Sequence, residues 1–150
     1  MGDCNVFLDT VDKLIDLAPG NCEQTDPDLL NPLVLAYVGD SVFELYIRTM
    51  LVQNEKGNVN KLHRAATDYV KSGSQARMAR DISEFLSDEE KDILRRGRNA
   101  HSGYVPKNAV VSEYRYATGF EALVGYLYLK GSIERLMEIL RFSGGQTFSK

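Results

Sequence analysis

The stretch from Leu33 to about Gln53 constrains this chain more than any other. Asn31-Pro32 opens it as a helix start, Asn as N-cap and Pro at the first helical position. The residues that follow are apolar on nearly every side. A helix that is hydrophobic all round has to be buried, so the rest of the chain must wrap it. A second such run covers about 110–130. No period-two alternation bounded by turn pairs argues for strands. With 150 residues there is material for one sizeable core and too little for two. The reading is a single all-α domain.

The remaining segments supply its wrapping. A short amphipathic helix is expected at 5–18, with Val6, Leu8, Val11, Leu14, Ile15 and Leu17 to bury, followed by a polar connector over 19–30. Gly57-Asn58 breaks the chain before a helix at about 59–71, and Ser72-Gly73-Ser74 separates that helix from another at about 74–84. Ser87 and Glu90 form a capping box that opens a helix ending near Arg96-Gly97. Residues 97–109 read as a loop, and Ser132 caps a last helix that stops at Gly144-Gly145. The division expected is an acidic extension over 1–29, the domain over 30–143 and a tail over 144–150.

Composition excludes several classes. Hydrophobic residues make up 43% and charged residues 26%, as in a soluble globular protein. No apolar stretch reaches the roughly 18 residues of a membrane span, since Asp40, Glu44 and Arg48 interrupt the best one. Asp3, Asp9, Asp12 and Asp16 rule out a secretory signal, so the expected location is the cytoplasm, with no membrane partner. Cys4 and Cys22 have no metal-ligand spacing with each other or with His63 and His101, and read as free thiols, a disulfide being the minority option. The net charge is −3, but seven acids against Lys13 put −6 on residues 1–30 and leave +3 on the other 120. Within those, Lys91, Arg95, Arg96, Arg98 and Lys107 face Asp92 alone over 91–107. Local sign steers a polyanion more than the total does, so an acidic chain is still compatible with RNA.

Two acids stand where acids are costly. Asp40 lies in Leu35-Ala36-Tyr37-Val38-Gly39-Asp40-Ser41-Val42-Phe43 and Glu121 in Gly119-Phe120-Glu121-Ala122-Leu123-Val124-Gly125. An unpaired buried carboxylate costs several kcal/mol, so each needs a partner or a proton. Two acids from different helices converging on a hard divalent ion would satisfy both. The bland alternatives are a turn at Gly39-Asp40 with Asp40 as a cap, and a Glu121 that pairs with Arg115 or lies on an exposed stripe. Glu44, one helical turn beyond Asp40, is read as the partner of Arg48.

Residues 31–48, from Asn31-Pro32 through Gly39-Asp40-Ser41 to Arg48, resemble the signature helix of the ribonuclease III catalytic domain, and more closely the compact Mini-III branch, which lacks a double-stranded-RNA-binding domain. Three further stretches agree in order: Arg95-Arg96-Gly97-Arg98-Asn99-Ala100-His101-Ser102-Gly103, Pro106-Lys107-Asn108, and Tyr114 through Glu121 to Leu129. His63 and Gln75-Ala76 fit the middle of that branch. The resemblance spans roughly 30–142 and leaves the acidic start unaccounted for. It implies the ribonuclease III fold, with Asp40 and Glu121 as catalytic residues and ligands of magnesium. Larger members carry additional acids where this chain has Leu33, Ala36 and Thr118, a thinning shared by the Mini-III branch. One ion on Asp40 and Glu121, with the scissile phosphate recruiting a second, is the expectation that follows.

The resemblance also implies a homodimer that cuts each strand of double-stranded RNA, leaving 5′-phosphate and 3′-hydroxyl ends, and maturation of the paired ends of the large-subunit (23S) ribosomal RNA precursor. A ribosomal-protein helper is left open. Arg95, Arg96, Arg98, Lys107 and Asn108 are the candidate RNA contacts, since basic residues among Gly, Ser and Asn suit phosphate tracking along A-form RNA. Their bland reading is a set of arginines complementing a helix C-terminus before a solvated loop. Tyr37, Phe43, Tyr46, Phe120, Tyr126 and Tyr128 read as core or subunit interface, His63 as a helix-packing residue and His101 as a loop residue. No Ser-His-Asp set, Cys-His set or phosphate-cradling loop occurs. Two competing classes remain. A non-catalytic ribonuclease III-like assembly factor would be expected to have lost Asp40 or Glu121, and a helical nucleotide phosphohydrolase to show a His-Asp pair.

Overall fold

Asn31 does what its residue type suggests: its Oδ1 accepts from the Leu33 N–H at 2.9 Å and opens helix α1 (Pro32–Asn54). The computed structural model describes Lys13, residues 26–100 and residues 103–147. The helix expected at 5–18 (Lys13 apart), Cys4, Cys22 and His101 lie outside the described residues. After α1 come α2 (Val59–Val70), α3 (Ser72–Ile82), α4 (Asp88–Asn99), α5 (Val111–Leu129) and α6 (Ile133–Thr147), with 3-10 turns at Pro27–Leu29 and Ser83–Phe85. Among the described residues there is no strand, and none of the helices is long and apolar enough to cross a membrane.

Helices α1 and α5 cross antiparallel at the centre. As α1 advances from Leu35 to Gly39, its contact on α5 retreats from Gly125 to Glu121. The backbones touch there because neither glycine has a side chain. A Cβ on Gly39 would lie 1.7 Å from the Glu121 carbonyl oxygen, and one on Gly125 would lie 1.9 Å from that of Leu35. Phe43 and Phe120 fill the space beside the crossing edge-to-face, centroids 5.2 Å apart. Each is buried, which contributes ~1.5–3 kcal/mol per side chain.

Three expected boundaries need correction. Lys71 alone, in extended conformation, separates α2 from α3, and Ser72-Gly73-Ser74 forms the first turn of α3. Helix α4 continues through Gly97 to Asn99, because Gly97 is a contact residue and not a stop: a Cβ there would sit 2.8 Å from Gly119 Cα and Ala122 Cβ on α5. Helix α6 likewise runs through Gly144-Gly145 to Thr147.

Polar ties lock the outer helices to this pair. Glu90 closes the capping box of α4 with Ser87 and also receives Arg135 of α6 at 2.8 and 2.9 Å, which holds its carboxyl below the usual range. Tyr126 is buried in the core, with its Oη 2.6 Å from Glu89 Oε1, 2.7 Å from Asp28 Oδ1 and 2.7 Å from Lys130 Nζ. Phe43 and Phe120 are core as expected, and Tyr46 and Tyr128 are half-buried. Two expectations fail. Helix α1 is not buried all round, since Val34, Tyr37 (81%), Leu45 and Val52 are exposed, which leaves Tyr37 outside the core of the single chain, and His63 is exposed on α2 and not part of the core.

Candidate active site

The close crossing of α1 and α5 decides where two carboxyls meet. Asp40 follows Gly39 directly, and Gly39 rests on the backbone carbonyl of Glu121. Helix α1 is continuous through Gly39-Asp40, so Asp40 is not the cap of a new helix. Glu121 neither pairs with Arg115 nor lies exposed; its carboxyl hydrogen-bonds that of Asp40. Burial is the main force pushing Glu121 up to about 7, and the Asp40 charge adds to it. Asp40, expected to be buried, is exposed as a residue; its carboxyl is nevertheless raised, first by partial burial and then by the nearby Glu44 charge, and is eased by the bond from Glu121. Glu121 therefore keeps the shared proton and donates it to Asp40.

This arrangement carries a pH signature in the metal-free protein. The folded chain keeps a proton on Glu121 that the unfolded chain releases near 4.5. Folded-state stability is then highest below that value and declines as pH rises through about 7, by roughly 3 kcal/mol in all. Thermal melts in chelator at about pH 5 and about pH 8 are expected to separate wild type from Glu121→Gln, which lacks this component. A difference between the two proteins that stays constant across that range would contradict the shared-proton geometry.

The neighbouring positions are spoken for. Glu44 binds Arg48 at 2.5 Å, as expected. Ala36 is buried in the core, and the Thr118 hydroxyl donates to the Tyr114 carbonyl at 3.0 Å. No group of three or more His, Cys, Asp or Glu suited to a metal occurs among the described residues. The donor set is thus a pair of neighbouring carboxyls in which the Asp40 charge opposes ionisation of Glu121, a condition a hard divalent cation relieves.

The basic candidates divide. Arg98, at the end of α4, has its backbone against Gly119, two residues from Glu121. Its Nη1 donates to Tyr116 Oη at 3.2 Å, and the Tyr116 ring also receives Arg80, centroid distances being 5.3 Å for Arg98 and 4.7 Å for Arg80. Arg95 is bound to Asp92. Arg96 is half-buried, while Lys107 and Asn108 are exposed as the central residues of a turn closed by Ala109 N–H to Pro106 O at 3.0 Å. Arg80 and Tyr116 had no role in the sequence reading, because nothing local shows that α3, α4 and α5 place them together.

Gln75 of α3 was also missed as a site residue. It stands beside the Glu121 carboxyl and favours its charged form. Yet its Nε2 is not in hydrogen-bonding geometry with that carboxyl or with any other described group. A sequence signal existed: Gln75 is the one amide among the buried residues of α3, the others being Ser74, Ala76, Met78, Ala79 and Ile82.

Helices α1 to α6, with an acid pair where the two central ones cross, form an all-helical domain. Residues 33–132 match the ribonuclease III domain, and the chain belongs to the ribonuclease III family. Enzymes of this family are generally dependent on divalent metals. Within the family it falls in the Mini-III branch. It is 55% identical over 114 residues to Mini-ribonuclease 3 of Thermoanaerobacter sp. (strain X514), covering 76% of this chain and 80% of that one. It is 47% identical over 122 residues to Mini-ribonuclease 3 of Clostridium tetani, covering 79% and 81%. The crystal structure of protein FN1578 from Fusobacterium nucleatum superimposes with a TM-score of 0.70 at 30% identity, over 78% of this chain and 93% of that one. The chain is a ribonuclease of endonuclease type.

Proposed function

We propose that this enzyme is a magnesium-dependent endoribonuclease that cuts double-stranded RNA as a homodimer in the cytoplasm, with the catalytic unit over 30–143 flanked by the extension 1–29 and the tail 144–150. The observation that carries the reading is the Asp40–Glu121 pair, held by touching backbones, in which burial and the Asp40 charge oppose ionisation of Glu121. Oxygen donors of this kind suit magnesium. Bound there, magnesium supplies an activated water and offsets the charge that builds on the phosphodiester. Asp40 and Glu121 hold the ion once the shared proton has left; with two carboxyls alone, a further ion needs phosphate oxygens of the substrate as ligands.

Arg98, Arg96, Lys107 and Asn108 orient the duplex through its phosphates and 2′-hydroxyls, which is how A-form RNA is read. Arg96 and Lys107 have no ion-pair partner among the described residues, which leaves their charge for phosphate, whereas Arg95 already has Asp92. An apolar hollow of about 310 Å³ lined by Tyr37, Val42, Leu45, Tyr46, Tyr128 and Met137 supports the homodimer, because a second copy would cover exposed apolar surface. Trimming the paired ends of a large-subunit (23S) ribosomal RNA precursor is the natural task this reading assigns, with 5′-phosphate and 3′-hydroxyl products.

The test is cleavage of a long labelled RNA duplex by the purified protein. Discrete fragments bearing 5′-phosphates are expected with magnesium and none with chelator. Duplex binding without cutting in any divalent metal would replace this reading with that of an RNA-binding assembly factor.

A further inference from the structure

Gln75 is 1% exposed, and its Nε2 is the single buried side-chain nitrogen or oxygen without a hydrogen bond among the described residues. Leaving a buried amide donor unsatisfied costs ~1–3 kcal/mol. On packing grounds alone, Met or Leu would fill the same place beside Ala76, Met78 and Ala79 at no such cost. The amide is therefore matched to a partner that the metal-free geometry offers only imperfectly. Its neighbour is the Glu121 carboxyl, near enough for the amide to favour the charged form yet outside good hydrogen-bond geometry. A carboxyl ligand coordinates in its deprotonated form. A carboxylate with one oxygen on an ion still has a second oxygen, and that oxygen is a strong acceptor.

We propose that Gln75 is a positioning residue for Glu121: with a divalent cation in place, its Nε2 donates to the Glu121 oxygen turned away from the ion and fixes the ligating orientation. Helix α3 supplies the rigidity this needs. Ser74, next to Gln75, is buried with its Oγ donating to the Asp68 carbonyl at 2.6 Å, and the Gln75 N–H is itself bonded to the Lys71 carbonyl at 3.1 Å. A donor held by packing restricts a carboxylate that would otherwise rotate, and losing such a partner weakens metal affinity by ~10–100-fold. The inference rests on the reading of Asp40 and Glu121 as a metal site.

The test is calorimetric titration of manganese into the RNA-free protein, beside thermal melts of the same samples in chelator. Gln75→Met is expected to melt no lower than wild type, because the unsatisfied donor is gone, and to bind manganese at least about tenfold more weakly. Gln75→Asn draws the amide back by one methylene and is expected to show the same weakening, which keeps the test decisive if the methionine variant does not fold. A folded variant of either kind with the wild-type manganese constant overturns the role of Gln75. Asp40→Asn is the control: if it binds manganese as wild type does, the metal site itself is misplaced and both readings fall. If it loses manganese while Gln75→Met keeps it, Gln75 alone is wrong.

Discussion

Asp40→Asn is expected to lower duplex cleavage by roughly a thousandfold or more, about 4 kcal/mol of barrier, while leaving the helical fold intact. The substitution conserves shape and removes one of the two charges a cation needs. It also removes the charge that opposes ionisation of Glu121 and is itself opposed by Glu44, so the melting temperature in chelator is expected to hold or rise. Cleavage rates at saturating magnesium, read beside a melt and a duplex-binding curve, separate the possibilities. Lost cutting with retained binding and folding is the expected pattern. Cutting within about tenfold of wild type would move the catalytic centre elsewhere.

Gly39→Ala is expected to be the most damaging methyl group one could add to this protein. Its Cβ would lie 1.7 Å from the Glu121 carbonyl oxygen, 2.7 Å from the carbonyl carbon and 2.8 Å from the Gly125 nitrogen, all backbone atoms that cannot turn aside. Helices α1 and α5 would have to separate, opening the Phe43–Phe120 contact and withdrawing Asp40 from Glu121 together. A loss of ~4 kcal/mol or more is expected, about 10 °C or more in melting temperature for a chain of this size. Gly73→Ala is the comparison: its methyl would meet only the flexible end of Glu113, at 3.3 Å, and should change stability by less than ~1 kcal/mol. If the two variants melt within 2–3 °C of each other (about 1 kcal/mol), the backbone contact is not what holds the helix pair.

That pair of glycines shows where sequence reading succeeds and where it stops. Gly97 and Gly144-Gly145 were read as helix ends because glycine commonly follows a helix. Each lies inside a helix, and Gly97 is there so that α4 can touch Gly119 and Ala122. The same residue type serves a stop and a close contact, and only the facing helix tells them apart. Arg98 is a parallel case: its basic charge is legible, whereas its place at the Tyr116 ring together with Arg80 depends on three helices meeting. The exposure of Val34, Tyr37, Leu45 and Val52 on a helix expected to be buried all round is of the same kind, because an apolar run does not reveal which side meets its partner.

By itself the sequence determined the all-α class, the Asn31 and Ser87 caps, the Glu44–Arg48 pair and, in Glu121, an acid that had to find company. Those follow from hydrophobic period, capping chemistry and the cost of a buried charge, all properties of neighbouring residues. Tertiary structure alone decided that Asp40 and Glu121 meet each other, that Gln75 waits beside them unsatisfied, and that α1 and α5 approach until their backbones touch. Each of those depends on atoms far apart in the chain, and the missing side chains of Gly39 and Gly125 are what let them come together.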